Sequence, residues 1–226
     1  MLISEIFSSI EGEGIRTGYL ATFIRAYGCN LRCSYCDSMY AVDETTDLFG
    51  NKSFKQMTIQ DIVNECKHIG NSRITFTGGE PLMQKDAKEL IDKLLDEKFE
   101  VNIETNGAVP VKDFIYFKNR DLSKLTITMD WKSPYSGMRN KMIEENLKDL
   151  RYFDVLKFVV ATKEDLDDMK NTLKNNDIYC HIFVSPVFGK IEPFEIVDYL
   201  KQNNLQNVRI QLQIHKLIWK PDMRGV

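Results

Sequence analysis

Short apolar runs alternate along the chain with segments in which apolar residues recur every three or four positions. Runs such as 73–77 and 100–104 predict buried strands, and the helical spacing over 86–98 predicts an amphipathic helix. The other predicted strands are 19–27, 126–131, 154–160, 179–185 and 208–212, and the other predicted helices are 58–68, 139–150, 164–175 and 193–203. Six or seven strands that alternate with helices predict an α/β fold with parallel pairing, a partial (β/α)6 TIM-like barrel. We expect one domain over residues 1–226.

One polar stretch, 41–55, interrupts this alternation and predicts a surface insertion. Thr58 then suits the N-cap of the helix over 58–68. Cys66 falls on the apolar stripe of that helix, which makes it a core residue rather than a ligand.

Composition narrows the range of functions. The chain has 226 residues, 43% of them hydrophobic, and a formal net charge of -3. This charge provides no basic surface for nucleic acid, so we expect no nucleic-acid partner. The first residues do not resemble a signal peptide and no apolar run reaches the length of a membrane span, so we expect a cytoplasmic protein without a membrane partner.

Three of the five cysteines, Cys29, Cys33 and Cys36, lie together with C-x3-C-x2-C spacing directly after the predicted strand 19–27. A structural zinc site needs four protein ligands, and the next candidates along the chain, Cys66 and His68, are distant in sequence. Three thiolates suit an iron-sulfur centre with one open position, and a reducing compartment would keep them available.

Other unusual motifs also follow predicted strands. They are Thr77-Gly-Gly-Glu-Pro81, Glu104-Thr-Asn-Gly107 and Ser133-Pro-Tyr-Ser-Gly137. Because parallel β/α folds place their sites at the carboxyl ends of the strands, these motifs and the cysteines should meet in one place.

The cysteine motif, with Tyr35 before the last cysteine, resembles the signature of the radical S-adenosylmethionine (SAM) superfamily, and the Gly78-Gly79-Glu80 segment supports the resemblance. The resemblance implies a barrel of the radical SAM type and a 4Fe-4S cluster whose fourth iron binds SAM. It also implies a 5'-deoxyadenosyl radical that abstracts hydrogen from unactivated carbon.

A longer set of segments resembles the 7-carboxy-7-deazaguanine synthase family of queuosine and deazapurine biosynthesis. These segments are Ser9-Ile-Glu-Gly-Glu-Gly14, Gly28-Cys-Asn-Leu31, Cys36-Asp-Ser38, 77–82, 104–107, 133–136 and 213–219. The resemblance therefore covers nearly the whole chain.

The resemblance also implies roles for individual residues. The implied cluster ligands are Cys29, Cys33 and Cys36, and the implied SAM-binding residues are Tyr35, Cys36, Asp37, Gly79, Ser133, Pro134 and Tyr135. The implied substrate-binding residues are Ile10, Glu11, Gly12, Glu13, Arg25, Thr77 and His215. Ser38 stands where the family places a hydroxyl ligand of Mg²⁺. No side chain is implied to be catalytic beyond the chemistry of the cofactors.

The implied reaction is that of a carbon-nitrogen lyase. It converts 6-carboxy-5,6,7,8-tetrahydropterin to 7-carboxy-7-deazaguanine by ring contraction with loss of ammonia. The resemblance further implies a low-potential electron donor such as flavodoxin or ferredoxin, and a homodimer. Two positions depart from the family pattern: Glu11, where Gln is common, and Ser38, where Thr is common.

Alternatives remain open at this point. The alternative for Arg25 and Glu13 is a buried structural ion pair rather than a role as substrate ligands. The alternatives for the whole chain are an activating enzyme for a glycyl-radical protein and a non-enzymatic iron-sulfur or zinc protein. Two alternatives also remain for the C-terminal segment. His215 either contacts the substrate or does not, and the polar tail 220–226 either folds back near the substrate or is a frayed end.

Overall fold

A computed structural model describes residues 1–43, 52–117, 121–221 and 223–226. Within these residues one sheet of nine strands runs through the molecule in the order β3-β1-β2-β4-β5-β6-β7-β8-β9. The strands are β1 Leu2–Ile10, β2 Leu20–Ala26, β3 Lys55–Gln56, β4 Arg73–Gly78, β5 Glu100–Thr105, β6 Leu125–Lys132, β7 Val155–Val160, β8 His181–Pro186 and β9 Val208–Ile210.

Seven of these strands, β2 and β4 to β9, pair in parallel. The end strands β3 and β9 do not pair with each other, so the described sheet is open. The predicted α/β fold with a partial parallel barrel is therefore confirmed. The apolar pattern did not single out β1, which pairs antiparallel with β2 and with β3.

Helices cover the sheet and supply most of the crossovers between parallel strands. They are α1 Ile59–Ile69, α2 Ala87–Asp96, α3 Glu145–Asp149, α4 Lys163–Asn175, α5 Pro193–Gln202 and α6 His215–Ile218. Thr58 begins α1 through a reciprocal capping box with Asp61, and Gly70 ends it with a φ of 88°. Cys66 is fully buried on α1, as predicted.

The helix predicted over 139–150 is wrong. The chain instead forms a 3-10 turn, Arg139–Lys141, and the short helix α3. The extended backbone of Met142 separates the two, and the next amide, Ile143 N, bonds Gly107 O. Asn146 of α3 donates to the Gly107 and Val109 carbonyls, so contacts with the loop after β5 replace a longer helix.

The predicted insertion 41–55 differs from the prediction at its start. Ala41 and Val42 are buried, with 0% and 6% of their surface exposed. Ala41 lies in a 3-10 turn, and its carbonyl oxygen accepts a hydrogen bond from the Gly28 amide. Residues 44–51 lie outside the described residues.

The apolar core lies between the sheet and its helices. Its largest fully buried side chains include Trp131, Phe76 and Phe158, one each from β6, β4 and β7. Close packing of these buried side chains holds the strands in register and thereby determines which side chains meet at the strand ends.

Candidate active site

A cavity of about 260 Å³ opens at the carboxyl ends of the parallel strands. It brings together most of the residues singled out in the sequence. Those in its lining are Ile10, Glu11, Gly12, Glu13, Arg25, Cys29, Cys33, Tyr35, Cys36, Asp37, Ser38, Thr77, Gly79 and His215. Residues that were 200 positions apart in sequence therefore face one space.

The cysteine loop follows β2 and is held by backbone contacts. Gly28, with a φ of 95°, donates to the Ala41 carbonyl at 2.7 Å and accepts the Glu80 amide at 2.8 Å. Ser34 anchors the far side, because its hydroxyl donates to the Tyr135 carbonyl at 2.6 Å. These contacts aim the three thiols into the cavity and leave each of them partly exposed.

The glycine motif after β4 supports this loop. A Cβ built on Gly79 would lie 2.2 Å from the Gly28 carbonyl oxygen, so only glycine allows the two backbones to approach. Glu80 is fully buried and accepts from Thr105 Oγ1 at 2.8 Å and Asn106 N at 2.7 Å. Burial raises the pKa of Glu80 to about 7 despite these hydrogen bonds. Glu80 thus connects the end of β4 to the end of β5 through hydrogen bonds.

The sulfur atoms have polar neighbours as well as apolar ones. Cys29 Sγ accepts from Leu31 N at 3.4 Å and from Asn106 Nδ2 at 3.5 Å. Burial raises the pKa of the Cys29 and Cys33 thiols. Among the described residues no three Cys, His, Asp or Glu side chains converge on the position of a single metal ion. A cubane cluster does not require such convergence, since each thiolate takes a different iron.

The cavity is also lined by a line of alternating charges, here called the charge row: Glu13, Lys157, Asp130 and Lys132. Lys157 Nζ donates to Glu13 Oε2 at 3.2 Å and lies 3.0 Å from Asp130 Oδ1. Lys132 Nζ donates to Asp130 Oδ2 at 2.9 Å. The four side chains are 8% to 23% exposed, so each charge depends on its neighbours.

Ion pairing within the charge row lowers the pKa of its acid Asp130 and raises the pKa of its base Lys132. Burial on its own would raise the pKa of Asp130, but Lys132 and Lys157 outweigh it and lower that pKa to about 2. Burial would likewise lower the pKa of Lys132, but Asp130 outweighs it and the pKa is raised. Both groups therefore remain charged across the physiological range.

A second acidic group lies beside the row. Glu11 is 2% exposed and accepts a short hydrogen bond from the Thr75 hydroxyl. Burial, reinforced by the nearby Glu104 carboxylate, raises the pKa of Glu11 to about 7. Glu104, which accepts from Thr77 Oγ1 at 2.9 Å, also has a pKa raised by burial. Near neutral pH, Glu11 can therefore donate a hydrogen bond as the amide of glutamine would.

Arg25 does not pair with Glu13, so the alternative of an Arg25–Glu13 ion pair is wrong. Arg25 Nε lies 2.7 Å from Glu5 Oε1 on the neighbouring strand β1, and Tyr40 donates to the same carboxylate oxygen at 2.6 Å. Antiparallel pairing of β1 with β2 places Glu5 directly opposite Arg25. Glu13 instead forms an ion pair with Lys157 and accepts a hydrogen bond from the Ser185 hydroxyl at Oε1, at 3.2 Å.

The predicted SAM segment 133–135 stands apart from the other site residues, because none of the three lines the cavity. It packs behind the cysteine loop, where the Tyr135 ring lies parallel to Tyr35 at 6.4 Å between centroids. The buried Ser133 Oγ and Tyr35 hydroxyl have no hydrogen-bond partner among the described residues. Tyr35 lines the cavity together with the thiols, so its orphaned hydroxyl is consistent with a polar cofactor there.

The C-terminal segment closes one side of the cavity. His215 lies against Gly12, where a Cβ would be 2.0 Å from His215 Nδ1. Lys216 Nζ donates to Asp37 Oδ2 at 3.0 Å. Burial would raise the pKa of Asp37, but Lys216 outweighs it and the pKa is lowered. Val226 also lines the cavity, so the tail folds back onto the site.

The chain was compared with known proteins. A profile of the Radical SAM superfamily matches residues 23–142. The 7-carboxy-7-deazaguanine synthase of Clostridium acetobutylicum is 42% identical over 227 residues, covering 99% of this chain and 98% of that protein. The synthase of Methanospirillum hungatei is 37% identical, covering 98% of this chain and 86% of the other.

This chain belongs to the 7-carboxy-7-deazaguanine synthase family. Solved structures agree with the fold. QueE from Escherichia coli superposes with a TM-score of 0.70 at 21% identity and covers 93% of this chain and 92% of that one. SuiB of Streptococcus suis bound to S-adenosylmethionine has a TM-score of 0.57 at 16% identity, covering 83% of this chain and 48% of SuiB.

Membership of the radical SAM superfamily brings a 4Fe-4S cluster and SAM as the cofactors of this synthase family. The residues present fit both groups. Three thiols line one cavity, the close approach of Gly79 to Gly28 supports the loop that carries them, and the orphaned Tyr35 hydroxyl belongs to a residue of the same lining. Among the described residues, no helix is both long enough and apolar enough to cross a membrane.

The sequence reasoning missed several residues of the site. Lys157, Asp130 and Lys132 were not singled out, and Glu104 and Asn106 were noted only as parts of a turn motif. A signal did exist for Lys157, since a lysine within the apolar strand Val155–Val160 must find a partner if it is buried. Its partner could not be named, because Glu13 lies 144 residues earlier in the chain.

Proposed function

We propose that this protein converts 6-carboxy-5,6,7,8-tetrahydropterin to 7-carboxy-7-deazaguanine with loss of ammonia, as a radical SAM carbon-nitrogen lyase of queuosine and deazapurine biosynthesis. One observation carries the proposal beyond family membership. A single cavity is lined both by three thiols and by charged side chains suited to a small carboxylated heterocycle. A radical formed at the thiols would therefore share one cavity with a substrate held by those charges.

The cluster is held by Cys29, Cys33 and Cys36. The SAM-binding residues are Tyr35, Cys36, Asp37, Gly79 and the segment 133–135. When bound, the reduced cluster and SAM supply the radical that abstracts hydrogen from the substrate. The chain itself places the groups and limits access of water.

The pterin is bound by Ile10, Glu11, Gly12, Glu13, Arg25, Thr77 and His215. The Glu13 carboxylate, oriented by Lys157 and Ser185, accepts hydrogen bonds from the amino-pyrimidinone edge. Arg25 faces the cavity with its Nε held by Glu5 and pairs with the substrate carboxylate. Fixing these groups before substrate binds lowers the entropic cost of orienting it.

Further parts of the proposal concern an ion and partners. Ser38, whose hydroxyl lies 3.4 Å from Asp37 Oδ1, contributes an oxygen ligand to Mg²⁺ at the substrate carboxylate. A low-potential donor such as flavodoxin or ferredoxin reduces the cluster. The protein works as a homodimer of single-domain chains in the cytoplasm, where a reducing environment preserves the thiols.

The test is anaerobic incubation of reconstituted protein with dithionite, SAM, Mg²⁺ and carboxytetrahydropterin, followed by mass spectrometry. We expect 7-carboxy-7-deazaguanine to form in excess of the SAM consumed. Cleavage of SAM without any deazaguanine product would overturn the assigned reaction and favour an activating enzyme. About one zinc and no sulfide per chain would overturn the radical chemistry as well.

Two variants locate the failure if activity is low. Cys33→Ala should lose both the cluster and the product, whereas Glu13→Gln should keep the cluster and lose pterin turnover. Equal turnover in Glu13→Gln and the wild type would remove Glu13 from the substrate site.

A further inference from the structure

Lys132 is a buried cation that the assigned roles leave unexplained. It ends β6, lines the cavity together with Cys29, Cys33 and Cys36, and its side chain is only 10% exposed. Its ammonium lies 5.9 Å from the centroid of the Tyr35 ring, and Tyr35 stands between two of the cysteines in sequence. Lys132 also belongs to the charge row.

The Lys132 ammonium is held in place within the cavity that the three thiols line. Asp130 holds its ammonium at 2.9 Å and keeps its pKa raised. Lys132 and the three cysteines line the same cavity, so its charge acts on the thiol positions across a poorly solvated space. Replacing Lys132 would leave Asp130 still paired with Lys157, so the net charge near the thiols would fall by one.

From this placement we infer that Lys132 sets the reduction potential of the 4Fe-4S cluster, raising it so that the cluster can accept an electron from its donor. The inference rests on the cluster of the proposed function. One-electron reduction by an external low-potential reductant adds one negative charge to the cluster, with no bond broken and no proton required. A fixed cation in a poorly solvated site stabilises that added charge, and net charge is a recognised determinant of cluster potential.

The experiment is a dithionite titration of the reconstituted protein without SAM, followed by electron paramagnetic resonance. In Lys132→Met the equilibrium constant for one-electron reduction should fall about tenfold, which corresponds to about 59 mV. Lys132→Arg keeps the charge and should retain the wild-type potential. Lys190→Met removes a lysine from the exposed loop after β8, where water screens the charge, and should leave the potential unchanged.

Asp130→Asn supplies a second variant of opposite sign, which decides the matter if Lys132→Met does not fold. It removes a negative charge from the row, so the potential should rise. Equal potentials in the wild type and Lys132→Met, or an unchanged or lower potential in Asp130→Asn, would overturn the inference. A shift seen only with SAM present would also overturn it, because Lys132 would then act on the ligand. Absence of a cluster in the wild type would overturn both this inference and the proposed function, whereas a normal cluster without a shift would overturn only the inference.

Discussion

Two parts of the cavity lining, the cysteine loop and the charge row, are built in contrasting ways. The cysteine loop is one continuous segment, which backbone hydrogen bonds to Ala41 and Glu80 hold in place. The charge row is assembled from the loop after β1 and from strands β6 and β7, and side-chain ion pairs hold it together. A loop suits a cofactor that several adjacent residues must wrap. A distributed row suits a substrate that must be held from several directions.

The cysteine loop and the charge row should also differ in how far a substitution lowers the stability of the fold. A ligand on a loop can be removed without unfolding the strands below it, because few buried contacts depend on it. A charge removed from the row leaves a neighbour with one partner fewer in a poorly solvated place. Loss of function should therefore separate from loss of stability in the cysteine loop and coincide with it at the charge row.

The largest expected effect is in the cysteine loop. Cys33→Ala should abolish cluster binding and product formation, because two thiolates do not hold the cubane. Its free energy of unfolding should stay within about 1 kcal/mol of the wild type. Iron and sulfide analysis with urea unfolding measures both quantities.

Cys66→Ala is the matched control, because this cysteine is fully buried on α1. It should keep the cluster and lose about 1 kcal/mol of stability. A wild-type cluster content in Cys33→Ala would break the contrast.

Next in size is Lys157→Met in the charge row. Glu13 and Asp130 both lose their shared cation, so the protein should lose about 3 kcal/mol of stability together with its affinity for the pterin. Urea unfolding and isothermal titration calorimetry with the pterin measure these two effects.

Lys201→Met serves as the comparison, since the side chain of Lys201 is 72% exposed and its pair with Asp198 is screened by water. It should change stability by less than about 0.5 kcal/mol. A Lys157→Met protein as stable as Lys201→Met would mean that the row is not a structural unit.

A smaller, pH-dependent effect is expected at Glu11. Its pKa in the folded protein is about 7 against an ordinary 4.5, so the folded state binds the proton more tightly than the unfolded chain. The associated stability is fully present below about pH 4.5 and is lost as the pH rises through 7. Glu11→Gln removes this titration and should be more stable than the wild type at pH 8, by about 1 to 3 kcal/mol.

Urea unfolding at pH 5 and pH 8 checks the prediction, and the stability gain should shrink at the lower pH. Glu89→Gln, on the exposed face of α2, controls for the loss of a carboxylate. A difference of equal size at both pH values would show that burial of the Glu11 carboxylate is not its cause.

The smallest expected effect is at Ser38. If its hydroxyl binds Mg²⁺, Ser38→Ala should raise the Mg²⁺ concentration for half-maximal activity by about tenfold, because one oxygen ligand is lost. Ser34→Ala in the same loop removes a hydroxyl that bonds Tyr135 O and should leave that concentration unchanged. An identical Mg²⁺ response in both variants would take Ser38 out of the metal site.

Much of the fold was predictable because burial of one face of a strand or helix produces a periodic apolar pattern within that segment of the sequence. The strand predicted over 100–104 is β5, and the helix over 164–175 is α4, since each shows its own period. The helix predicted over 139–150 failed, because apolar spacing does not record that Asn146 bonds the carbonyls of a distant loop. Antiparallel β1 was missed for a similar reason: its hydrogen bonds are made with β2 and β3.

The candidate site divides in the same way. The spacing of Cys29, Cys33 and Cys36 is a property of one loop, so the sequence alone was sufficient to indicate an open iron-sulfur centre. The partner of Glu13 depends on strand order and register, which bring Lys157 of β7 to it and leave Arg25 opposite Glu5. Local periodicity states which side chains are buried, whereas only the assembled sheet decides which buried charges meet.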